Sequence, residues 1–179
     1  MMLLFAHMGL ALAAARPFAR ADLLFVAIGS MLPDIIDKPV GEIVYGTPSM
    51  GRIFAHTLLF LLLLAGAALC TRDLRLASLC GGVLVHLSLD FMWNSPVILF
   101  WPMLGGFPTA PYLDTLSYLQ MLLLGLGRPI VLLPELLGLA YFIFLAVEKR
   151  QHIASWTRLS IARIRAGARS LPYVFLKGS

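Results

Sequence analysis

Charge is the scarcest property of this chain: Asp, Glu, Lys and Arg together make up 13% of 179 residues, against 60% hydrophobic. A soluble globular domain carries roughly 25% charged residues, so a mean hydropathy of +0.88 excludes an ordinary soluble fold. Cysteine is nearly absent: there are only Cys70 and Cys80, and neither stands in a CxxC or Cys-His spacing. This excludes a disulfide framework or a thiolate zinc module and leaves both as small apolar residues. Basic residues are missing between Arg75 and Arg128, while half of the 14 Lys and Arg follow residue 148. The formal charge of +5 is therefore not a nucleic-acid surface. Basic residues gathered beyond the last apolar run meet anionic lipid headgroups instead.

What the chain does have is a series of apolar runs parted by short polar turns, which predicts an all-α, polytopic helical membrane protein. Residues 2–15 form a short first segment. It is expected to be retained rather than cleaved, because no basic region precedes it and Arg16 follows. The second segment, Asp22–Ile36, leads into Asp34 and Asp37, with Pro33 loosening its last turn and Pro39 and Gly41 ending it. Ile53–Thr71 is the clearest span, and a fourth runs from Leu74 to about Trp93. From Asn94 to Tyr112 the chain is rich in Pro, Gly and aromatics and is expected to re-enter the membrane or lie at its interface. Leu113–Leu126 reads either as an interfacial helix or as a tilted span, and Pro129–Val147 as the final span.

The domain organisation that follows is one integral membrane domain over 1–147, with a four-helix core at 1–93 and the re-entrant or interfacial segment at 94–112. A basic amphipathic tail, 148–179, is expected on the anionic leaflet. About five spans place Arg16, Arg20, Arg72, Arg75 and the tail on the cytoplasmic side of an inner membrane. A six-span alternative would put the tail outside.

An ionisable side chain at membrane depth is costly and is by default a functional one. His7 lies near the free end of the first segment, Asp34 and Asp37 end the second, Arg52 and His56 open the third, and His86 and Asp90 close the fourth. Antiparallel segments bring all seven to one membrane face, which is the outer one in the five-span arrangement. His86 and Asp90 lie four apart, and Asp34 and Asp37 three apart, so each pair shares one side of its helix. Three imidazoles and three carboxylates form a ligand set suited to a divalent metal, zinc foremost, with manganese or iron also possible. The expected ligands are drawn from His7, Asp34, Asp37, His56, His86 and Asp90. Carboxylates at helix C-termini face the negative end of the helix dipole, and a cation relieves that conflict.

Each residue also has a plainer reading: His7 at an interface, His86 with Asp90 as an intrahelical pair, Asp34 as a turn cap, and Asp37 paired with Lys38 or Arg52. Their joint placement outweighs these readings, because His152 is the only histidine outside the set. His7 precedes Asp34 by 27 residues and His56 precedes His86 by 30, which raises the hypothesis of two related hairpins packed around one site.

Taken in order, His7-x-Gly9, Leu32-Pro33-Asp34-x-x-Asp37-Lys38-Pro39, Gly51-Arg52-x-x-x-His56-Thr57-Leu58-Leu59, His86-x-x-x-Asp90 and Trp101-Pro102 are similar to a known pattern. They resemble the membrane-bound metal-dependent hydrolases that include the LexA-regulated inner-membrane hydrolase, domain of unknown function 457. The resemblance covers roughly residues 1–105 and implies a bacterial or archaeal membrane protein with a divalent metal. Many members resemble His-Arg-Gly-x-Thr-His-Ser where this chain has Gly51 in place of the first histidine, which leaves the number of metals open.

The leading expectation is hydrolysis at the membrane surface. The metal would activate water, Asp37 would serve as ligand or general base, and Arg52 would hold an anionic oxygen of a phosphoester. Lipids and lipid-linked phosphates are the expected partners. An ion transporter is the rival from another class, disfavoured because the polar groups cluster at one face. A noncatalytic protein with a structural metal is the third reading.

Overall fold

The structure, a computed structural model, describes residues 3–169, with the side chains of 3–148 and 150. It is all-helical, with no strand among the described residues. Seven helices follow in order: α1 (Leu4–Ala15), α2 (Leu23–Tyr45), α3 (Leu58–Thr71), α4 (Leu74–Leu89), α5 (Pro96–Leu99), α6 (Thr115–Gly125) and α7 (Pro129–Arg169). Short 3-10 turns at Pro48–Met50, Phe54–His56 and Met92–Asn94 join them.

Local chemistry sets the helix ends. The Asp22 carboxylate accepts from Leu24 and Phe25 N–H at 3.1 and 3.4 Å and so starts α2. Asp73 does the same for α4 through Arg75 N–H at 2.7 Å, and Asp114 for α6 through Leu116 and Ser117. The hydrogen bonds from Ser117 hold the exposed Asp114 carboxyl below its ordinary pKa. Thr57 starts α3 by accepting from Phe60 N–H at 3.0 Å. The two-residue turn between α3 and α4 places Arg72 in the left-handed region at φ 54°, and Gly46 ends α2 at φ 70°.

Two expected boundaries are corrected. α2 does not stop at Pro39 or Gly41 but continues to Tyr45 with Pro33 and Pro39 inside it. Each proline removes one donor, yet helices buried against protein accommodate that loss. Asp34 and Asp37 are therefore mid-helix, and the dipole argument applies to Asp90 alone, which caps the C-terminal end of α4. The third segment is also not one helix. Its first residues form the turn Phe54–His56, Thr57 is extended, and α3 leaves at 42° to the preceding turn.

α2 and α4 form the central pair and run parallel: Asp22 N–H donates to Ser78 at 2.9 Å, and two turns on Ser30 lies level with His86. Their backbones touch because Gly29 and Gly82 lack side chains. A Cβ on Gly29 would collide with the Leu79 carbonyl, and one on Gly82 with that of Val26. Small residues at a helix crossing permit this approach in membranes as they do in water. α1 lies against both helices, and α3 flanks α4. The buried apolar cluster of Val83, Leu87 and Met92 is enclosed by Leu32, Phe60, Leu61, Leu64 and Leu79.

Among the described residues only Pro129–Glu148 is both long and apolar enough to cross a membrane by itself, and the bent pair Pro48–His56 and Leu58–Thr71 qualifies when counted as one span. α2 has the length, at 23 residues, but contains Asp34, Asp37, Lys38 and Glu42. α1, α4 and α6 have 12, 16 and 11 residues, short of the roughly 20 a span requires.

Between α4 and α6 only the four-residue α5 is an α-helix. Residues Met1–Phe142 form one compact unit and Ile143–Ser179 a second. In the second unit the backbone is helical to Arg169, and the basic side chains expected on the leaflet, with His152, lie outside the described residues except for Arg150.

Candidate metal centre

α2 supplies Asp34 and Asp37, the turn before α3 supplies Arg52 and His56, α4 ends on His86 and Asp90, and α1 brings His7 in beside them. All seven meet. His7, Asp37, His56 and His86 are fully buried, and Asp34 and Asp90 nearly so.

Each imidazole is anchored through the same nitrogen. His7 Nδ1 donates to the Leu3 carbonyl at 2.8 Å, His86 Nδ1 to the Ser30 carbonyl at 2.7 Å, and His56 Nδ1 to Asp37 Oδ2 at 2.7 Å. A carbonyl or carboxylate only accepts, so Nδ1 carries the hydrogen in all three, and in the neutral rings Nε2 keeps its lone pair. All three Nε2 atoms point inward. Those of His56 and His86 approach to 3.2 Å, and His7 Nε2 lies 3.4 Å from Asp90 Oδ1. The His7 and His86 rings stack with centroids 4.2 Å apart. Lone pair against lone pair is repulsive, so a positive charge belongs between them. The enclosed His7 Nε2 and Asp34 Oδ1 make no well-formed hydrogen bond, each lying instead at ion-pair distance from Asp90 Oδ1 and His56 Nε2 respectively.

The carboxylates divide into two kinds. Asp34 turns Oδ2 to Lys38 Nζ at 2.8 Å, and Asp90 turns Oδ2 to an Arg52 guanidinium nitrogen at 2.7 Å. In both, Oδ1 remains on the imidazole side. Asp34 Oδ1 is 3.7 Å from His56 Nε2. Two three-residue groups have donor atoms close enough to share an ion: His7, His86 and Asp90, and Asp34, His56 and His86.

Asp37, expected as ligand or general base, belongs to neither group, and its oxygens are engaged by other donors. Its Oδ1 accepts from Ala55 N–H at 2.9 Å. Its Oδ2 accepts from Ile53 N–H at 2.8 Å, His56 N–H at 3.1 Å and His56 Nδ1 at 2.7 Å. With four donors on two oxygens, Asp37 holds the turn and aims His56, the outer support that metal-binding histidines usually have. The expected partners of Asp37 also change: Lys38 is on Asp34 and Arg52 on Asp90.

Gly51, which stands where the resembling pattern has a histidine, is pressed against the Lys38 stem: a Cβ there would meet Lys38 Cγ at 2.9 Å. Beyond Arg52 lies a cleft of about 330 Å³ lined by Pro48, Ser49, Gly51, Arg52, Pro111 and Tyr118 among others.

The sequence did not reveal the Leu3 and Ser30 carbonyls, since backbone acceptors leave no signal in residue type. The pairing of Lys38 with Asp34 was also missed, although the spacing of four residues places both on one helix face. The hairpins also open differently. His7 is inside α1, whereas His56 lies in a 3-10 turn ahead of α3.

The model of the YdjM inner membrane protein family matches residues 2–163. The chain belongs to this family. It is thus an inner membrane protein, and the match extends well beyond the 105 or so residues that carried the sequence resemblance. No curated protein and no solved structure matches the chain. What this member of the YdjM family does must therefore be argued from its own side chains.

Proposed function

We propose that the cluster binds one divalent metal ion, most naturally zinc, and that the protein is a metal-dependent hydrolase of phosphoesters at the headgroup layer. The observation that carries the metal is the inward convergence of three Nε2 atoms whose Nδ1 partners are already engaged, with two of them at 3.2 Å. A proton shared by His56 and His86 would relieve that single contact but would leave Asp34 Oδ1 without a hydrogen bond and His7 Nε2 no closer than 3.4 Å to Asp90 Oδ1. A metal among His7, His56, His86, Asp34 and Asp90 satisfies all of these at once. One ion is favoured over two because His86 Nε2 is common to both ligand groups, and one imidazole lone pair serves one ion.

A divalent ion held there would supply Lewis-acid chemistry, activating water and polarising an ester bond. The chain's own residues do the rest. Asp37 fixes His56, Lys38 and Arg52 fix the outer oxygens of Asp34 and Asp90, and Arg52 borders the cleft where an anionic substrate would enter. The inner-membrane location supports a lipid or lipid-linked phosphate as that substrate. The many outward Leu side chains, such as Leu62, Leu69 and Leu124, suit lipid contact. In this reading the helices of Met1–Phe142 are membrane-embedded in about five passes, with the cluster toward the outer face. A cysteine-accessibility map of the α1–α2 turn against the 47–52 loop tests that orientation.

One observation favours a second reading, a structural clamp. The donors are enclosed and number five, and a closed coordination sphere is the mark of a structural metal. Purified protein should contain close to one zinc, manganese or iron per chain. Turnover of lipid phosphoesters in a detergent screen, abolished by His86→Ala, supports the hydrolase; full metal without turnover supports the clamp.

A further inference from the structure

α1 begins without a cap of its own. Leu3, at its N-cap position, has no side chain that can accept a hydrogen bond, and no acidic residue stands in the first turn. The opening N–H groups of a helix need acceptors, all the more where water is excluded. They find one on α7: the buried carboxylate of Glu135 accepts from Leu3 N–H at 2.6 Å with Oε1 and from Phe5 N–H at 3.1 Å with Oε2. One turn further along α7, Gly138 lets the helices touch. A Cβ there would collide with the Phe5 carbonyl, and one on Gly9 with the Gly138 carbonyl. Phe5 and Phe142 pack edge to face beside this contact.

His7 stands between these two fixed points, and its Nδ1–H is bound to the carbonyl of Leu3, whose N–H Glu135 holds. The same residue thus receives the α7 carboxylate on one side and the imidazole on the other. We propose that Glu135 is a positioning residue for the metal centre, acting through Leu3 to set the direction of His7 Nε2. The inference rests on the metal reading above. It extends that reading to α7, which contributes no donor to the cluster.

The test uses full-length protein in detergent, with zinc and cobalt titrations and 15N-histidine spectra of the metal-free form. Glu135→Ala should weaken zinc binding by about tenfold or more, the usual effect of losing an outer support, and should alter the visible spectrum of bound cobalt. In metal-free protein it should shift or broaden the His7 Nδ1–H signal and leave those of His56 and His86 in place. Combined with His7→Ala, it should add no further loss of affinity, because both act through one ligand. Glu135→Gln, which keeps one carbonyl oxygen, should recover most of the affinity.

Lowered thermal stability with unchanged zinc affinity, cobalt spectrum and His7 signal overturns the proposal, as does additivity with His7→Ala. If Glu135→Ala does not fold, Glu135→Gln decides through the ring signal alone: with one of the two acceptors lost the His7 Nδ1–H signal should move while the affinity stays near that of wild type, and an unmoved His7 signal overturns the proposal. If wild type takes up no zinc or cobalt, the metal reading falls. The His7 signal alone then decides whether Glu135 positions that ring.

Discussion

The two ends of the four-helix core use the same residue types for opposite purposes. At one end Asp22 and Asp73 sit in basic, exposed turns beside Arg16, Arg20, Arg72 and Arg75, and their carboxylates start α2 and α4. At the other end Asp34, Asp37 and Asp90 are buried, cap no helix N-terminus, and face imidazoles. A cap is a local arrangement between a side chain and N–H groups two or three residues on, and it asks nothing of the rest of the fold. The buried acids are matched only by residues from other segments or from a further turn of helix. Position in the fold, rather than residue type, makes an aspartate here either a helix start or a component of a site.

The contrast predicts graded losses. The largest effect is expected from His86→Ala, which removes the one nitrogen common to both ligand groups: metal analysis of the purified variant should find none bound, where wild type holds about one. A chelator should reproduce part of this loss in wild type. An ion present at a hundred times its Kd stabilises by about 2.7 kcal/mol, and its removal should lower the thermal midpoint of wild type but not of His86→Ala.

Next comes Asp37→Ala. It strands the N–H groups of Ile53, Ala55 and His56, and each buried orphan costs about 1–3 kcal/mol. A loss of at least about 3 kcal/mol in an unfolding titration is expected; a variant as stable as wild type would mean that the turn is held by something else.

Arg52→Gln and Lys38→Gln should each cost about tenfold or more in metal affinity, because each holds the outer oxygen of an inward-facing carboxylate. Arg52→Gln should also weaken phosphate competition at the cleft, whereas Lys38→Gln should not. Equal behaviour of the two would remove Arg52 from the substrate side. The smallest effect is expected at the opposite end, where Asp73→Ala should cost about 1 kcal/mol of stability and leave metal content unchanged.

Much of this arrangement was legible in the chain. Alternating apolar runs of known polarity place His7, Asp34, Asp37, Arg52, His56, His86 and Asp90 at one end of the core whichever way it faces the membrane. The roles within the cluster were harder to read, because they depend on direction as well as position. Asp37 and Asp34 are one turn apart on the same helix, yet the turn at 53–56 folds over Asp37 and leaves Asp34 facing the imidazoles. That turn was hidden because Ile53–Thr71 is apolar apart from His56, Thr57 and the closing Thr71, and hydrophobicity does not distinguish a helix from the irregular turn that precedes it. Pro33 and Pro39 misled in the other direction. Proline stops a helix that must satisfy itself in water, but α2 is packed against α4 and the loop, with Gly41 within 2.8 Å of the Met50 carbonyl for an added Cβ.

The capping of α1 by Glu135 has a consequence for the order of events during synthesis. The helix bearing His7 is made well before α7, and the carboxylate that accepts from its opening N–H groups lies more than a hundred residues further along the chain. His56, His86 and their carboxylates can gather before that; His7 cannot take its final direction. If Glu135 aims His7 as proposed, a chain ending before residue 135 would hold every inward-facing side chain of the site with the imidazole of α1 not yet aimed.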